Sequence, residues 1–364
     1  MPEGNAFQIK ALDPRKFQDP HITAEGITRA VVALTHLRTL WFNTGSLCNI
    51  TCQNCYMDSS PTNDRLAYMT VAEVKAFLDE IEAERLPVEE IAFTGGEPFM
   101  NRELPDMIEL ALSKGFRVLV LTNAMKPLLN KRPRLLDILD RHGQALTLRV
   151  SIDHFTKAKH EAVRGAASWA PMIEGLRWLA ENKFKITIAG RTCWDENDAE
   201  ARRGYGELFE AQHIPVDADD PAALVLFPEM DSAADVPEIT THCWDILGVA
   251  PETMMCATSR MIVKHRGQDR ASVVPCTLLP YDTAFELGHD LTQAAKTVQL
   301  NHPHCAKFCV LGGASCSPEG WSLPSATLAG WTARCCVSAA RIPTPRRPRP
   351  CWWKPAPGAF RLIG

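Results

Sequence analysis

Six short apolar runs, each of strand length, alternate with stretches whose apolar residues recur at helical spacing. This alternation limits the possible folds more than any other feature of the chain. The runs occupy residues 40–42, 91–93, 118–121, 146–152, 186–189 and 224–227. The clearest helical stretch spans 70–85: Thr70 and Glu73 have capping-box spacing, and Val71, Val74, Phe77, Leu78 and Ile81 follow a helical period. Others span 104–112, 133–141, 172–181 and 199–211. Such a pattern predicts an α/β fold on a parallel sheet, open or curled into part of a barrel. In these sheets chemistry collects in loops at the C-terminal ends of strands. The unusual residues fall there: 48–55 after the first run, 94–98 after the second, Thr122 and Asn123 after the third, and 151–153 closing the fourth.

Composition narrows the class. The chain has 364 residues, 46% hydrophobic and 23% charged, which is globular usage and excludes wholesale disorder. The net charge of -4 hides an asymmetry: 320–364 holds seven basic residues and no acid, so 1–319 holds 32 basic against 43 acidic. A body this acidic does not present a phosphate-tracking field, so nucleic acid is not expected as a partner. No apolar run approaches a membrane span, and residues 1–19 lack the apolar core of a signal peptide. A cytoplasmic, thiol-reduced protein without membrane association is therefore expected, and there clustered cysteines more often hold metal than form disulfides. Four regions follow: an N-terminal extension over 1–37, a core over 38–230, a cysteine-rich extension over 231–319, and a disordered Pro/Arg/Trp-rich tail over 320–364.

Cys48, Cys52 and Cys55 lie within eight residues, in Cys48-Asn49-Ile50-Thr51-Cys52-Gln53-Asn54-Cys55-Tyr56. Structural zinc wants four ligands, commonly from two separated Cys-x-x-Cys pairs, and no second pair lies nearby. Three thiolates without a fourth suit a four-iron cluster with one open iron. Spacing alone leaves open zinc completed by a remote ligand, and buried cysteines acting as small hydrophobes.

With Thr94-Gly95-Gly96-Glu97-Pro98 at the second strand end, the cysteine loop resembles that of the radical S-adenosylmethionine (SAM) superfamily over about the first 230 residues. The resemblance implies a partial (β/α)6, TIM-like barrel with a small cysteine-rich C-terminal extension. It implies a [4Fe-4S] cluster on Cys48, Cys52 and Cys55, with SAM on the open iron. One electron would cleave SAM to a 5′-deoxyadenosyl radical that abstracts hydrogen from a peptide or small-molecule substrate, with flavodoxin or ferredoxin as reductant. Gly95, Gly96, Glu97 and Pro98 would then form the ammonium-binding loop, the glycines admitting the ligand close to the backbone. Ser151 and Asp153 fit the ribose hydroxyls, Arg164 the SAM carboxylate, and Asn123 would face the ligand. One departure is Asn54, where the family commonly has an aromatic residue or His; Tyr56 is the candidate ring beside adenine.

The later cysteines form a second group: Cys256, Cys276, Cys305, Cys309 and Cys316. The pattern resembles the twitch and SPASM auxiliary-cluster extensions, with too few cysteines for two further clusters, so a second iron–sulfur cluster is expected. Zinc, with His302 or His304, and unligated thiols are the alternatives, while Cys193 and Cys243 read as structural. From a different functional class, a non-catalytic zinc or iron–sulfur binding or electron-transfer protein would explain the thiols but not residues 95–98.

Overall fold

The structure is a computed structural model that describes residues 11–194, 196–229 and 231–313. The tail over 320–364 and Cys316 lie outside the described residues. All six expected strands form: β1 (Thr39–Asn43), β2 (Glu90–Thr94), β3 (Arg117–Thr122), β4 (Leu146–Ser151), β5 (Lys185–Arg191) and β6 (Leu224–Phe227). They lie in spatial order β6-β5-β4-β3-β2-β1, every neighbouring pair parallel. The connections carry α1 (Val71–Ala83), α2 (Leu104–Ser113), α3 (Lys126–Leu129), α4 (Arg132–His142), α5 (Lys157–Arg164), α6 (Trp169–Glu181) and α7 (Asp198–Gln212). The α1 start is as expected: Thr70 Oγ1 accepts from Glu73 N, and Glu73 Oε2 accepts from Thr70 N. The α5 helix escapes the periodicity because only His160 and Val163 of its eight residues are buried.

Two further strands extend the sheet. β7 (Ser259–Val263) pairs parallel with β1, and β8 (Ser272–Val274) pairs antiparallel with β7. The polypeptide beyond residue 230 thus shares the core sheet. β7 does not read as a strand because it carries Arg260, whose guanidinium is wholly buried. It donates to the carbonyls of Cys256 (2.6 Å), Ser259 (2.8 Å), Ala294 (2.9 Å) and Lys296 (3.0 Å). Full hydrogen bonding to carbonyls is what makes a buried guanidinium tolerable.

Alternation along the strands divides the apolar residues between two faces. Leu40, Phe42, Ile91, Phe93, Val118, Val120 and Leu148 pack against α1, α2, α4 and α6. Trp41, Ala92 and Leu119 point the other way, into a second core with Met255, Met261, Val263, Val274 and Phe308. One face therefore carries the helical layer and the other the cysteine-rich segment. Residues 11–30 close over that segment: the buried Arg29 Nη2 pairs with Glu238 Oε1 at 2.5 Å, and Ala30 N donates to Ile239 O at 2.8 Å. Among the described residues no helix is long and apolar enough to cross a membrane.

Candidate functional site

The loop after β1 leads into Cys48 and is held by the loop after β2. Gly96 N donates to Gly45 O (2.9 Å) and Glu97 N to Leu47 O (3.1 Å). A Cβ on Gly96 would lie 2.2 Å from Leu47 O, and one on Gly95 would lie 2.6 Å from Gly45 O. Gly95 also has φ +149°, a conformation that favours glycine. From sequence these glycines are expected to make room for a ligand; in the structure the space of their missing side chains is filled by the backbone of the cysteine-bearing loop.

Glu97 is 2% exposed and turned inward. Its carboxylate accepts from Asn123 N (2.8 Å), Thr122 Oγ1 (2.9 Å) and Phe99 N (3.2 Å), joining the loops after β2 and β3. Burial pushes its carboxyl up to about 7 against the pull of those three donors. Pro98 opens a short 3₁₀ turn, Pro98–Met100, behind it. Neither Glu97 nor Pro98 lines the cavity that contains the cysteines.

That cavity, about 1050 Å³ including its open mouth, brings together most of the other residues expected at the site. Cys48, Cys52, Cys55, Tyr56, Gly95, Gly96, Asn123, Ser151, Asp153 and Arg164 all line it. Cys48 is buried, and burial pushes its thiol up to about 12; burial raises Cys52 as well. Asn123 Nδ2 donates to Asn49 Oδ1 at 2.9 Å and lies 4.0 Å from Cys48 Sγ. Tyr56 Oη lies 3.3 Å from Thr94 Oγ1. Ser151 ends β4, and Asp153 follows two residues on with its side chain on the same cavity.

Asp153 and Arg164, expected on separate parts of a ligand, form a pair. Arg164 Nε donates to Asp153 Oδ2 at 2.8 Å, and Arg191 Nε approaches Asp153 Oδ1 at 3.4 Å. Burial alone would raise the Asp153 carboxyl, but the two guanidiniums outweigh it and hold it below the usual carboxylate range. Arg191 is absent from the sequence-based site, although it ends β5 and the strand-end rule would have found it. It also donates to Gln53 O (3.2 Å) and lies 3.6 Å from Glu229 Oε1, which accepts from Asn54 Nδ2 at 2.8 Å. Asn54 has φ +50°, a left-handed conformation that Asn tolerates. The residue that departs from the expected aromatic thus ties the cysteine loop to the segment after β6.

Cys256, Cys276, Cys305 and Cys309 line a different, tightly filled space, about 370 Å³ counted out to its open edge, walled by Met254, Met255, Pro275, Leu278, Leu279, Val298, Leu300 and His304. All four are at most 9% exposed. Burial pushes Cys256 up to about 11 and Cys305 well above its usual value. Cys243, in contrast, sits apart and accepts from Thr240 N at 3.3 Å.

Among the described residues no three His, Cys, Asp or Glu side chains are arranged to hold one metal ion. A four-iron cluster asks something else, because each thiolate binds a different iron. It needs thiols around a shared space; Cys48, Cys52 and Cys55 line one open cavity, and Cys256, Cys276, Cys305 and Cys309 border a second, much tighter one.

Comparison with known proteins bears on this fold. Residues 42–203 match the Radical SAM superfamily. Over that stretch, a little under half of the chain, it is similar to the radical SAM superfamily, and its cysteine-rich C-terminal region fits an auxiliary-cluster extension. It is 26% identical over 156 residues to the antilisterial bacteriocin subtilosin biosynthesis protein AlbA of Bacillus subtilis (strain 168), covering 42% of this chain and 33% of that protein. It is 29% identical over 139 residues to GTP 3′,8-cyclase of Tolumonas auensis (strain DSM 9187 / NBRC 110442 / TA 4), covering 38% of this chain and 39% of that protein. The alignments thus span well under half of these relatives. Streptococcus suis SuiB bound to its precursor peptide SuiA has a similar fold, with a TM-score of 0.52 at 11% identity, covering 72% of this chain and 66% of SuiB.

Proposed function

We propose that the protein is a radical SAM enzyme in which Cys48, Cys52 and Cys55 hold a [4Fe-4S] cluster and the adjoining cavity binds SAM. The observation that carries this reading is the convergence of the three thiols, Gly95, Gly96, Asn123, Ser151, Asp153 and Arg164 on one cavity from four strand ends. A cluster held there would supply the single electron for reductive cleavage of SAM, the chemistry that would start hydrogen abstraction from the substrate.

The chain's own residues prepare the cavity. Binding a metal requires thiolates, so Cys48 and Cys52, whose thiols burial pushes up, release protons on cluster loading. Asp153 offers a carboxylate that a ribose hydroxyl can reach, and Arg164, on the same cavity, offers a guanidinium whose fork suits the SAM carboxylate. Glu97 acts one step back: it fixes Thr122 and the Asn123 backbone, and Asn123 is aimed at Cys48. Tyr56 supplies a ring at the cavity wall for adenine.

Cys256, Cys276, Cys305 and Cys309 hold a second iron–sulfur cluster in this proposal. Four thiolates leave no open iron, so that cluster serves electron transfer or stability. AlbA is a bacteriocin biosynthesis protein and SuiB binds a precursor peptide, which supports a peptide substrate. The relationship to GTP 3′,8-cyclase keeps a small molecule as the second reading. A flavodoxin or ferredoxin is the proposed reductant, and the cytoplasm the proposed location.

Anaerobic reconstitution tests the core of this. Wild-type protein with dithionite and SAM should form 5′-deoxyadenosine, and the Cys48→Ala/Cys52→Ala/Cys55→Ala variant should form none. Equal production by the two proteins would end the proposal.

A further inference from the structure

A second chamber, about 760 Å³ including its mouth, adjoins the cysteine cavity, and Cys55, Tyr56 and Leu278 line both. A molecule in this chamber would touch the same segment that carries the third cysteine. Its remaining wall is polar and unbalanced in charge. Three carboxylates, Asp58, Asp231 and Asp282, face one lining cation among the described residues, Arg65.

That cation is already committed. Arg65 Nη2 pairs with Asp58 Oδ2 at 3.0 Å, and its guanidinium lies 3.7 Å over the Tyr281 ring. Asp231 and Asp282 are left without a cationic partner among the described residues. Each uses Oδ1 to accept a local backbone N–H, from Ala233 (2.9 Å) and Ala284 (3.0 Å). Oδ2 of each has no hydrogen bond among the described residues.

An independent feature points to a ligand. His304 lines the chamber in a residue only 6% exposed, and its ring has no hydrogen-bond partner among the described residues. Unlike the two His160 ring nitrogens, which are buried and unpartnered, those of His304 stay reachable, so a molecule in the chamber can bond to them. His302 beside it is spoken for, because its Nδ1 accepts from His304 N at 3.0 Å.

We infer that this chamber binds a cationic group of the substrate, an ammonium or guanidinium, between Asp231 and Asp282, with His304 completing its hydrogen bonds. The inference rests on the proposed function, because the shared wall at Cys55 and Tyr56 makes the bound molecule a substrate for the neighbouring cavity. Two carboxylates in excess are the complement of a cation, and charge-assisted hydrogen bonds are the strong ones.

The test is equilibrium binding of three probes to the cluster-loaded protein, followed by line broadening of the probe's proton resonances. Nα-acetyl-lysine amide and Nα-acetyl-arginine amide carry the cation, in its ammonium and guanidinium forms; Nα-acetyl-norleucine amide lacks it. At least one cationic probe should bind roughly tenfold or more tightly than the norleucine probe, and lose that advantage as salt rises. Asp231→Asn/Asp282→Asn should bring it to the norleucine level, whereas the remote surface change Asp245→Asn should not.

Equal binding of all three probes, no binding by any, or cation binding unchanged in Asp231→Asn/Asp282→Asn would each overturn the inference. Should that double variant fail to fold, the norleucine comparison and the salt dependence in the unaltered protein decide. SAM cleavage is assayed separately. Its absence alongside intact cation selectivity would remove the radical SAM reading and leave the chamber standing.

Discussion

The two cysteine groups use the same side chain in opposite surroundings. Cys48, Cys52 and Cys55 stand on a polar wall, with Arg164, Arg191, Asp153 and Asn123 around them, and two of the three remain partly exposed. Cys256, Cys276, Cys305 and Cys309 surround a small space walled mostly by Met, Leu, Val and Pro, with His304 as its one polar neighbour, and all four are buried. Cysteine count does not separate these settings; the neighbours do. A site that must admit a polar, charged ligand needs fixed charges and open volume, while one that only stores or passes an electron is better dry and closed.

If that contrast is right, disabling the second group should cost iron and stability without touching SAM recognition, and this should be the largest effect of all. In a Cys256→Ala/Cys276→Ala variant, iron content should fall by about four per chain, the content of one four-iron cluster. The reduced electron paramagnetic resonance signal that remains should still change when SAM is added. Conversely, in the Cys48/Cys52/Cys55 triple variant the remaining signal should ignore SAM. A signal responding to SAM in the triple variant would mean that the two groups have exchanged roles. Stoichiometric zinc without iron there would make the second group a structural zinc site.

The next test strikes the polar side of the contrast at its packing. Gly96→Ala places a methyl group 2.2 Å from Leu47 O, a contact with backbone that no rotamer change relieves. The loops after β1 and β2 must separate, at a cost of about 3 kcal/mol or more. Cluster loading at the first group should drop with it, while the second group, remote from this contact, should load normally. Normal iron content and thermal stability in Gly96→Ala would show that these loops are not held as described.

How much of the molecule is legible in its sequence follows the same division. The six parallel strands and the cysteine loop are readable because apolar periodicity and residue spacing are local signals. β7 is hidden because its buried Arg260 is satisfied by carbonyls of residues 256, 259, 294 and 296, a non-local solution that no window reveals. The closure of residues 11–30 over the 231–240 segment is hidden for the same reason. At the site, residue types are legible but their partners are not. Asp153, Arg164 and Arg191 are three separate polar residues in sequence and one charged cluster in space. Glu97 reads as facing the ligand; only the fold shows that Thr122 and Asn123 reach it first. The four-cysteine cavity can be anticipated from density, but its apolar walls cannot, because they come from three separate segments.

Glu97 offers the finest test, because its inward carboxylate leaves a signature in the cluster-free protein. Its folded-state carboxyl lies near 7, raised by burial from an ordinary 4.5. Between those values the folded protein holds a proton that the unfolded chain has released. Stability from this group is therefore greatest below about 4.5 and falls as pH rises toward 7, the opposite of a salt-bridged carboxylate such as Asp153. The loss is on the order of 1–3 kcal/mol across that window. Chemical denaturation of apo protein at a series of pH values should show this decline. Glu97→Gln, which cannot titrate, should lack it while retaining the contribution of Asp153, which is lost only at lower pH. Parallel pH profiles for the two proteins would place Glu97 in contact with water, outside the dry seam between the loops after β2 and β3.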